Sequence, residues 1–538
     1  MMLKRVFSSL FLVLIVFALV QCARKGTPSG GPKDVTPPKL LRADPPNMTL
    51  NFKSNTITLY FDEYVKLKDV QNQLIVSPPL KNTPEITPQS AASKVIEVTI
   101  KDTLLENTTY TFNFGQSITD NNEGNANSFL TYVFSTGDYL DSLSVSGAVK
   151  DAFNKKVDQF ISVMLYKIDT AYTDSTIYKR PPDYITNTLD SSVVFRLNHL
   201  KEGTYAMMAV KDQGKNNIFD QKVDKIGFLT DTVTLPTDSV YVLTMFREVS
   251  DYSIAVPSMA AKNRIMFGYQ GTADEIAIQP LTSLPDTVRT TIVKQADKDT
   301  LDYWFTPFEM DSIVFLVTND KWKTRDTFTV KNRKLPLDTL LLTPNLKGSI
   351  GFEDPFYISS NTPLTSVDST KFSLENKDTI PVPFKIRLDS IPNKIHIDFG
   401  TEPNQNYNMS IMPGAIGDFF GSVNDTLRYR LSTGSPADYG NLRLTLGGDP
   451  TYPLIVQLTD ESGKAQREII AREPQIYDFN NLKPAKYVIR VIHDTNGNGK
   501  WDTGSYLQKK QPEKVSYFPD VVEVRANWEM EQTFILGD

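Results

Sequence analysis

The residue pattern best suited to chemistry is a nine-residue run near the C-terminus that is rich in aspartate, asparagine and glycine. Its positions 1, 3, 5, 7 and 9 are Asp494, Asn496, Asn498, Lys500 and Asp502. Ca²⁺ takes about six to eight oxygen ligands, and alternate residues of a tight loop point inward, with the seventh position offering its backbone carbonyl. The run therefore predicts a calcium loop, and calcium is the one cofactor that the sequence suggests. A long Asn-Gly hairpin turn explains the same residues without an ion.

The elements around this run differ from those of an EF-hand. Its twelfth position is Ser505, where an EF-hand has a bidentate glutamate. The segment before it, residues 487–492, has the composition of a strand and not of a helix. An earlier run, from Asp212 to Asp220, has a similar outline but carries Gly214 at its third position. The two runs share an outline but not the oxygen-bearing residues, which favours a hairpin turn without an ion. The calcium loop and the hairpin turn both stay open.

Two tryptophans are candidates for binding a glycan. β-Sandwich domains hold sugars on exposed aromatic rings, and Trp322 and Trp501 both lie among polar residues. These two side chains are therefore the candidates for an exposed platform that binds a sugar ring. The alternative is that each packs at the rim of a core, as most tryptophans do. The chain has two further tryptophans, Trp304 and Trp528.

Histidine and cysteine are too scarce for the common catalytic sites. The chain contains only His199, His396 and His493, and its single cysteine is Cys22. Cys–His catalysis and a structural zinc site of several Cys or His ligands are therefore disfavoured. A Ser-His-Asp triad would have to use one of these three histidines. We expect each of them to be an ordinary strand or surface residue.

Adjacent carboxylates occur twice, as Asp62-Glu63 and Glu353-Asp354. Glycosidases need only two carboxylates, but these must converge on one bond. Neighbouring residues of a strand point to opposite faces, so neither pair makes a convergent site. The two pairs sit in similar contexts, Leu59 to Glu63 and Ile350 to Asp354, which suggests a repeated feature of the fold. We expect a chain that is not an enzyme.

Composition and periodicity predict the elements that position these residues. The chain has 538 residues, of which 40% are hydrophobic and 22% charged, with a net charge of −6. This length suggests about three to five domains. Period-two alternation, as in residues 56–61 and 95–100, predicts short strands in an all-β chain of tandem β-sandwich domains, which we expect to lie in an extended arrangement. Basic residues are scattered, so we expect no nucleic-acid partner.

The N-terminus predicts export and a lipid anchor. Lys4 and Arg5 precede an apolar run over residues 11–20, which is too short to span a bilayer but has the size of a signal-peptide core. The run ends at Leu19-Val20-Gln21-Cys22, which resembles a lipobox, and this cysteine has no disulfide partner in the chain. We predict a signal peptide over residues 1–21, lipidation of Cys22, membrane attachment through that lipid, and a flexible tether over 22–35.

An internal repeat points to a family. The motifs Asn107-Thr108-Thr109-Tyr110 and Ser135-Thr136-Gly137 recur as Asn404 to Tyr407 and Ser432-Thr433-Gly434, with the same spacing from Tyr to Ser. With the opening Thr36-Pro37-Pro38 and the turn Asp120 to Gly124, they resemble the bacterial Ig-like domain of S-layer-type surface proteins. The resemblance covers residues 36–138 and, in a divergent form, 346–436. The whole chain resembles the Ig-like-domain lipoproteins of Bacteroidota.

A second unit follows each Ig-like one. Phe195, Leu200, Tyr205 and Asp212 recur at equal spacing as Tyr477, Leu482, Tyr487 and Asp494. The pattern resembles the transthyretin-like sandwich of the carboxypeptidase-regulatory type. It predicts two such sandwiches, over residues 143–247 and 439–538. Residues 250–345 between the repeats read as a β domain of unknown type.

The resemblance implies address and fold more than activity. It predicts a non-catalytic lipoprotein of the cell envelope, anchored in the outer membrane, that acts as a structural, adhesion or protein-binding scaffold; the alternative is a glycan-binding accessory lipoprotein. Expected partners are envelope proteins or glycans. Residues 23–26 lack the acidic cluster that resembles a surface-export signal, which favours the periplasmic face. An Asp-(Ser/Thr)-aliphatic pattern resembles an O-glycosylation sequon and occurs at Asp102, Asp141, Asp231, Asp286, Asp338 and Asp425.

Overall fold

The computed structural model describes residues 33–128, 130–188, 193–271, 275–296, 298–389 and 393–537. The predicted signal peptide, the lipidation site at Cys22 and most of the predicted tether lie outside these residues. Within the described ranges, no helix combines the length and the apolar character needed to cross a membrane.

Strands make up five successive β-sandwiches. Each encloses a hydrophobic core of its own, and sandwich 2 has a second cluster on the outside of one sheet. We number the sandwiches along the chain as residues 40–135, 143–245, 253–331, 342–432 and 440–535. The prediction of an all-β chain of tandem β-sandwich domains is confirmed.

Sandwich 1 shows how the alternating sequence produces its sheets. In its second strand, Ile57, Leu59 and Phe61 are at most 2% exposed, and the residues between them face outward. Its strands are β1 (Leu40–Asp44), β2 (Thr56–Leu67), β3 (Ile75–Ser77), β4 (Glu85–Thr87), β5 (Ser93–Thr99), β6 (Thr109–Asn113), β7 (Ile118–Asp120) and β8 (Thr131–Ser135). One sheet has the order β1-β2-β5-β4, with β7 paired to the end of β2, and the other has the order β3-β6-β8. A single helical turn, Val70–Gln73, precedes β3.

Sandwich 2 has a different topology. Its strands are β9 (Leu143–Asp151), β10 (Ser162–Lys167), β11 (Tyr184–Asn187), β12 (Val194–Leu200), β13 (Gly203–Lys211), β14 (Lys225–Phe228), β15 (Val233–Leu235) and β16 (Val240–Met245). The sheets are β12-β9-β16, in which β16 runs parallel to β9, and β11-β10-β13-β14, with β15 also on β13. A 3-10 helix, Asp174–Tyr178, covers the outer face of the second sheet.

Sandwich 3 repeats the strand order of sandwich 1. Its strands are β17 (Ser253–Ile254), β18 (Ser258–Ala261), β19 (Arg264–Gln270), β20 (Ile276–Pro280), β21 (Thr290–Lys294), β22 (Thr300–Phe305), β23 (Ser312–Asn319) and β24 (Thr324–Lys331). The sheets are β17-β19-β22-β21, with β18 paired to β19, and β20-β23-β24. If β18 is set aside, these orders match β1-β2-β5-β4 and β3-β6-β8. The domain that sequence patterns left without a type therefore has the topology of the first sandwich.

Sandwich 4 has that topology as well. Its strands are β25 (Leu342–Pro344), β26 (Gly348–Ser349), β27 (Tyr357–Ser360), β28 (Leu364–Val367), β29 (Phe372–Glu375), β30 (Phe384–Asp389), β31 (Lys394–Phe399), β32 (Asn406–Ile411), β33 (Ile416–Asp418) and β34 (Leu427–Ser432). The sheets are β25-β27-β31-β30, β26-β34-β32-β29 and the pair β28-β33. Strands β27 and β28 together correspond to the long β2. A 3-10 helix, Ser369–Lys371, precedes β29.

Sandwich 5 matches sandwich 2 strand for strand. Its strands are β35 (Gly440–Gly447), β36 (Leu454–Thr459), β37 (Ala465–Ala471), β38 (Ile476–Leu482), β39 (Ala485–His493), β40 (Val515–Tyr517), β41 (Val522–Val524) and β42 (Glu529–Ile535). The sheets are β38-β35-β42, again with a parallel last strand, and β37-β36-β39-β40, with β41 on β39. The 3-10 helix Pro436–Asp438 leads into this sandwich.

The sandwiches do not follow one another in single file, which corrects the expected extended arrangement. Sandwich 2 packs against sandwich 5, although the two are far apart along the chain. For example, the Thr503 hydroxyl donates to the Arg247 carbonyl, 256 positions away in the sequence. Sandwich 3 contacts sandwich 4 through Arg289 and the Phe419 carbonyl, 2.6 Å apart. Sandwich 4 contacts sandwich 5, where Lys483 meets the Asp354 carboxylate at 2.9 Å. Sandwiches 2 to 5 thus form a closed circuit.

A physical reason for this closure lies in the outer sheet of sandwich 2. Strands β10 and β13 are buried on both faces, with Val163 and Leu165 in the core and Met164 and Tyr166 in the outer cluster. Part of the cover over that outer cluster is Tyr506 of sandwich 5. In an extended chain this apolar face would lie open to water, at a cost of about 25 cal/mol per Å².

Candidate functional site

The loop that carries the calcium prediction follows strand β39, as the sequence predicts. Both oxygens of the Asp494 carboxylate accept backbone N–H groups, from Asn498 at 3.1 Å and Gly499 at 2.8 Å. Gly497 and Gly499 have φ values of 71° and 75°, which glycine adopts without strain. The side chain of Asp494 therefore holds the turn, whether or not an ion is added.

A second carboxylate, Glu513, supports the same loop and was not found from the sequence. It accepts the N–H of Thr495 at 2.7 Å and the N–H of Asp502 at 2.9 Å, and it is 6% exposed. It lies 11 positions beyond Asp502 in the sequence, so the spacing of the loop gives no sign of it.

Sandwich 2 holds its own loop in the same way. Asp212 accepts the N–H groups of Lys215 and Asn217, each at 2.7 Å, and these two residues have positive φ values of 54° and 57°. Asp224 takes the place of Glu513 and accepts the N–H of Asp220 at 2.8 Å. The two loops share their support although their other side chains differ.

The remaining residues of the predicted calcium set lie close together. The amide of Asn498 donates to the Asp502 carboxylate at 2.9 Å, and the amide of Asn496 donates to the same oxygen. The backbone N–H of Lys500 donates to the Asn498 side chain at 2.8 Å. Within the described residues, no group of three or more His, Cys, Asp or Glu side chains is placed to hold a metal ion. Calcium binding stays a prediction.

Trp501 is half-buried, so it follows the packing alternative and is not an exposed platform. Its indole N–H donates to the Glu513 carbonyl at 3.0 Å, and its ring packs against Phe153 of sandwich 2 with centroids 4.9 Å apart. The guanidinium of Arg490 lies 4.3 Å from the centroid of the same phenyl ring. Phe153 thus inserts between two side chains of sandwich 5, and Trp501 belongs to the contact between the sandwiches, which we call the 2–5 interface.

A second aromatic insertion runs in the opposite direction. Tyr506 of sandwich 5 is 1% exposed and enters the outer cluster of sandwich 2. Its ring meets Phe228 edge-on at 5.3 Å, and its hydroxyl lies 3.3 Å from that of Tyr172. Gly504, two residues earlier, has no room for a side chain, because a Cβ would lie 2.7 Å from the Phe246 ring. The 2–5 interface therefore interlocks: Tyr506 is buried in sandwich 2, and the half-buried Phe153 packs against side chains of sandwich 5.

Polar groups fix the register of the 2–5 interface. Thr503 donates to the Arg247 carbonyl at 2.6 Å, and Lys509 forms an ion pair with Asp174 at 2.7 Å. The backbone N–H of Tyr506 donates to the Glu248 carboxylate, which is 5% exposed. Burial raises the pKa of the Glu248 carboxyl above its usual value of 4.5.

An open cleft of about 570 Å³ runs beside the 2–5 interface. Its walls come from β9 and β16 of sandwich 2 and from residues 511–515 of sandwich 5. Lys150, Asp231 and Lys514 line it together with Val242, so its surface mixes both charges with apolar groups. Its volume falls in the range of about 300–1,000 Å³ that is usual for ligand clefts. However, the cleft is open to solvent and does not enclose a ligand as a small-molecule site does.

Trp322 is exposed, as the sequence suggested. Its side chain is 42% exposed, in the turn that joins β23 to β24. The backbone N–H of Trp322 donates to the Asn319 side chain at 3.1 Å, which fixes the turn. Sugar binding at Trp322 stays a prediction.

The Tyr and Thr residues of the repeated motif form structural hydrogen bonds in both copies. The Thr136 hydroxyl accepts the Thr108 N–H at 2.9 Å, and the Thr433 hydroxyl accepts the Gln405 N–H at 3.0 Å. The hydroxyl of the corner tyrosine likewise accepts a backbone N–H, from Leu105 to Tyr110 and from Glu402 to Tyr407. These residues tie the turn before the sixth strand to the end of the last strand, so their repetition reflects folding.

The two carboxylate pairs do not occupy corresponding places, which corrects the alignment expected from sequence. The N–H of Phe52 donates to the Ser135 carbonyl at 2.9 Å, and Ile350 does the same to Ser432 at 3.0 Å. Ile350 therefore corresponds to Phe52, well before Asp62-Glu63. Asp354 instead bonds to Lys483 of sandwich 5, and although burial acts to raise its pKa, that bond and nearby positive charges lower it overall.

The three histidines are dispersed over separate strands or strand ends. His199 meets the Asp141 carbonyl at 3.0 Å, and His396 meets the Asp389 carboxylate at 2.9 Å. His493 lies 3.2 Å from the Ser516 hydroxyl on the neighbouring strand. No carboxylate is bonded to the other ring nitrogen of His493 among the described residues, so the pair lacks the orienting group of a triad.

The residues of the O-glycosylation-like pattern share one placement. In each case the Ser or Thr is exposed, and the aliphatic residue after it is at least half-buried. The exposed hydroxyl residues are Thr103, Ser142, Thr232, Thr287, Thr339 and Thr426. This is the arrangement of a turn that leads into a strand, and it leaves every one of these hydroxyls open to modification.

Comparison with known proteins identifies two segments. Residues 34–136 match the bacterial Ig-like domain family, in agreement with the resemblance found over 36–138. Residues 438–528 match a family described as an uncharacterized protein conserved in bacteria. No curated protein matches the chain.

Solved structures resemble the chain only at low identity. The surface layer protein SbsC, domains 1–6, is 11% identical over 91% of this chain and 67% of its own, with a TM-score of 0.16. Titin domains A168–A170 are 11% identical over 52% of this chain and 98% of their own, with a TM-score of 0.14. BcpA, the major pilin subunit of Bacillus cereus, is 10% identical over 73% of this chain and 99% of its own, with a TM-score of 0.12. With scores this low, the match over residues 34–136 and the strand orders carry the assignment of this chain as a tandem of Ig-like and further β-sandwiches.

Proposed function

We propose that this protein is a non-catalytic scaffold of the bacterial cell envelope, anchored by a lipid on Cys22. The 2–5 interface is the observation that supports a scaffold most directly. Two reciprocal aromatic insertions, of Phe153 and Tyr506, hold four sandwiches in a closed circuit. A chain whose modules were independent beads would gain nothing from this closure, whereas a scaffold needs a fixed shape to present surfaces to partners.

Sandwich 1 stands outside the circuit and nearest to the predicted anchor. It contacts sandwich 2 through the Ser77 hydroxyl, which accepts the Ile185 N–H at 3.1 Å, and through Lys201, which bonds to the Asn107 carbonyl. In the proposal, the tether and sandwich 1 hold the circuit of sandwiches 2 to 5 at a distance from the membrane, where envelope proteins or glycans bind.

The anchor is tested by lipid labelling of cells that express the full chain. We expect wild-type protein to incorporate a labelled fatty acid and to fractionate with the outer membrane, and Cys22→Ser to lose both properties. Ser29→Ala, in the same tether, is the matched control and should behave as wild type. Label retained by Cys22→Ser, or wild type that is soluble after fractionation, would contradict the anchor.

The side of the membrane is tested by protease treatment of intact cells. A chain on the periplasmic face should survive until the outer membrane is permeabilised, and it should then be cleaved. Loss of the chain from intact cells would place it on the cell surface instead.

The scaffold itself is tested by affinity capture from envelope extracts with the purified full chain. We expect reproducible co-purification of an envelope component by wild type, and reduced capture by a variant whose 2–5 interface is opened at Tyr506. Equal capture by both proteins would show that the closed circuit plays no part in binding. Turnover of an envelope polymer by the purified protein would contradict the non-catalytic proposal.

A further inference from the structure

The open side of sandwich 5 contains a cleft that the repeat in sandwich 2 does not explain. The cleft has a volume of about 290 Å³ and lies between β41 and β42, the edge strands of the two sheets. Phe518 and Met530, both half-buried, are among the residues that line it. It adjoins one end of the 2–5 interface, where Lys155 of sandwich 2 donates to the Phe518 and Pro519 carbonyls, and Trp528 lies outside the interface residues 501–519.

Trp528 stands at the entrance of this cleft. Its side chain is 52% exposed, the greater exposure of the two tryptophans that reach the surface. Its backbone is fixed, because its carbonyl accepts the Asn441 N–H at 2.9 Å. The Arg525 guanidinium lies 5.0 Å from the ring centroid. The backbone of Trp528 is therefore anchored and its ring contacts Arg525, while much of the indole surface stays open to a ligand.

Uncommitted polar groups face the same cleft. Arg525 pairs with Glu523 at 3.2 Å, which leaves the cleft without a free positive charge. The side chains of Asp520 and Gln532 also line it, and neither has a hydrogen-bond or ion-pair partner among the described residues. A carboxylate and an amide next to an aromatic ring can accept and donate the hydrogen bonds of sugar hydroxyls, while the ring receives the C–H face of the sugar.

The fold does not require these side chains, as the repeat demonstrates. Tyr241 pairs with Gly147 in sandwich 2, and Gln532 pairs with Leu444 at the corresponding register in sandwich 5. By the same register Trp528 corresponds to Thr237, so the first copy folds without an indole there. Thr237 lies 3.5 Å from the Tyr241 hydroxyl, so these two side chains interact with each other.

We propose that the Trp528 cleft binds one uncharged sugar ring of an envelope or extracellular glycan. The indole stacks on the ring, and Asp520 and Gln532 bond to its hydroxyls. An acidic sugar is disfavoured because the free ionisable group is a carboxylate and the nearby arginine is already paired. This inference gives the glycan-binding alternative a place and a ligand class, and it does not depend on the lipid anchor.

The test uses the purified full chain in detergent, with neutral oligosaccharides as probes: cello-, chito-, malto- and manno-oligosaccharides, and polygalacturonate as the acidic comparison. We expect at least one neutral probe to bind and to quench tryptophan fluorescence. Trp528→Ala should weaken that binding roughly tenfold or more, Trp528→Phe should weaken it less, and Asp520→Asn and Gln532→Ala should each weaken it measurably. Tyr139→Ala, which removes an exposed aromatic ring that has no part in either candidate sugar site, is the matched control and should bind as wild type. Trp322→Ala shows whether binding belongs to the other exposed indole instead.

The variants are first compared with wild type by circular dichroism and melting temperature, and Trp528→Phe keeps the test valid if the alanine variant is unstable. The proposal is overturned if no neutral probe binds, if polygalacturonate binds best, if Trp528 variants bind as wild type, or if the loss follows Trp322→Ala. None of these results bears on lipid labelling of Cys22, so the two proposals fail separately.

Discussion

Replacement of Tyr506 by alanine should open the 2–5 interface. The side chain is 1% exposed and packs among residues of sandwich 2, with Phe228 at 5.3 Å. Truncation of a buried aromatic residue to alanine typically costs about 3–5 kcal/mol, and loss of its hydroxyl contact with Tyr172 falls within that sum. Since about 1.4 kcal/mol is a factor of ten, closure should become roughly 10² to 4 × 10³ times less favourable.

Hydrogen–deuterium exchange of the full chain measures this opening. We expect faster exchange in Tyr506→Ala over β14 (Lys225–Phe228) of sandwich 2 and over residues 501–511 of sandwich 5, with the core of sandwich 3 unchanged. Tyr506→Phe keeps the ring and should lose only about 0.5–1.5 kcal/mol. Tyr139→Ala, at a tyrosine that is 48% exposed, is the matched control. Wild-type exchange at both sites in Tyr506→Ala would refute the reasoning, because the residue would then contribute nothing to closure.

The other predictions address the same interface, the loop behind it and the exposed hydroxyls. Gly504→Ala places a Cβ 2.7 Å from the Phe246 ring, so it should weaken closure by about 1–3 kcal/mol and speed exchange as Tyr506→Ala does. Burial raises the pKa of Glu248, so the closed state binds the proton more tightly than the open state does. Closure should therefore be strongest below pH 4.5 and weaken as the pH rises through the raised pKa. Hydrogen–deuterium exchange measured against pH should show this dependence in wild type and lose it in Glu248→Gln. Asp494→Ala leaves the Gly499 N–H without its acceptor and the Asn498 N–H with the Asn496 side chain alone, so it should destabilise sandwich 5 by about 1–3 kcal/mol in EDTA by chemical denaturation. Calcium that raises the melting temperature of wild type but not of the variant would support the calcium loop. If the exposed Thr232 is modified, intact-mass analysis of envelope-purified protein should show hexose-sized additions that Thr232→Ala reduces, and a mass of chain plus lipid alone would contradict the sequon.

The repeats could be predicted because they depend on local hydrogen bonds that demand particular residues. Tyr110 and Tyr407 each accept a backbone N–H from five residues earlier, and Thr136 and Thr433 each close the same turn. Such bonds require a particular residue type at a particular spacing, so the repeat can be recognised in the sequence. Sandwich 3 folds with the same strand order but has Ile313 at the position of Tyr110, and without this tyrosine its relation to sandwich 1 is visible only in the sheets.

The 2–5 interface could not be predicted, because nothing in its local sequence requires a distant partner. One signal was nevertheless present. Residues 163–166 and 454–456 are apolar without alternation, although each strand belongs to a sandwich that should leave one face in water, and all of these residues are buried. A strand that is apolar on both faces indicates a cover on each side. The sequence thus indicates that both faces must be covered, but it does not identify Tyr506 and Phe153 as residues of the contact that covers them.

The origin of the interface lies in a difference between the two otherwise matched loops. Asp220 and Asp502 both donate their N–H to the supporting carboxylate, which is Asp224 in one copy and Glu513 in the other. Four positions separate the first pair and 11 the second, so sandwich 5 has seven additional residues between these points. Tyr506 lies within that longer segment. Glu513, which holds the loop in sandwich 5 as Asp224 does in sandwich 2, therefore also fixes the start of the longer segment. The carboxylate support is common to both copies, whereas the segment that carries Tyr506 occurs in sandwich 5 alone. The loop keeps its shape with different side chains in sandwich 2 because hydrogen bonds to the supporting carboxylate, and not the contacts of Tyr506, fix that shape.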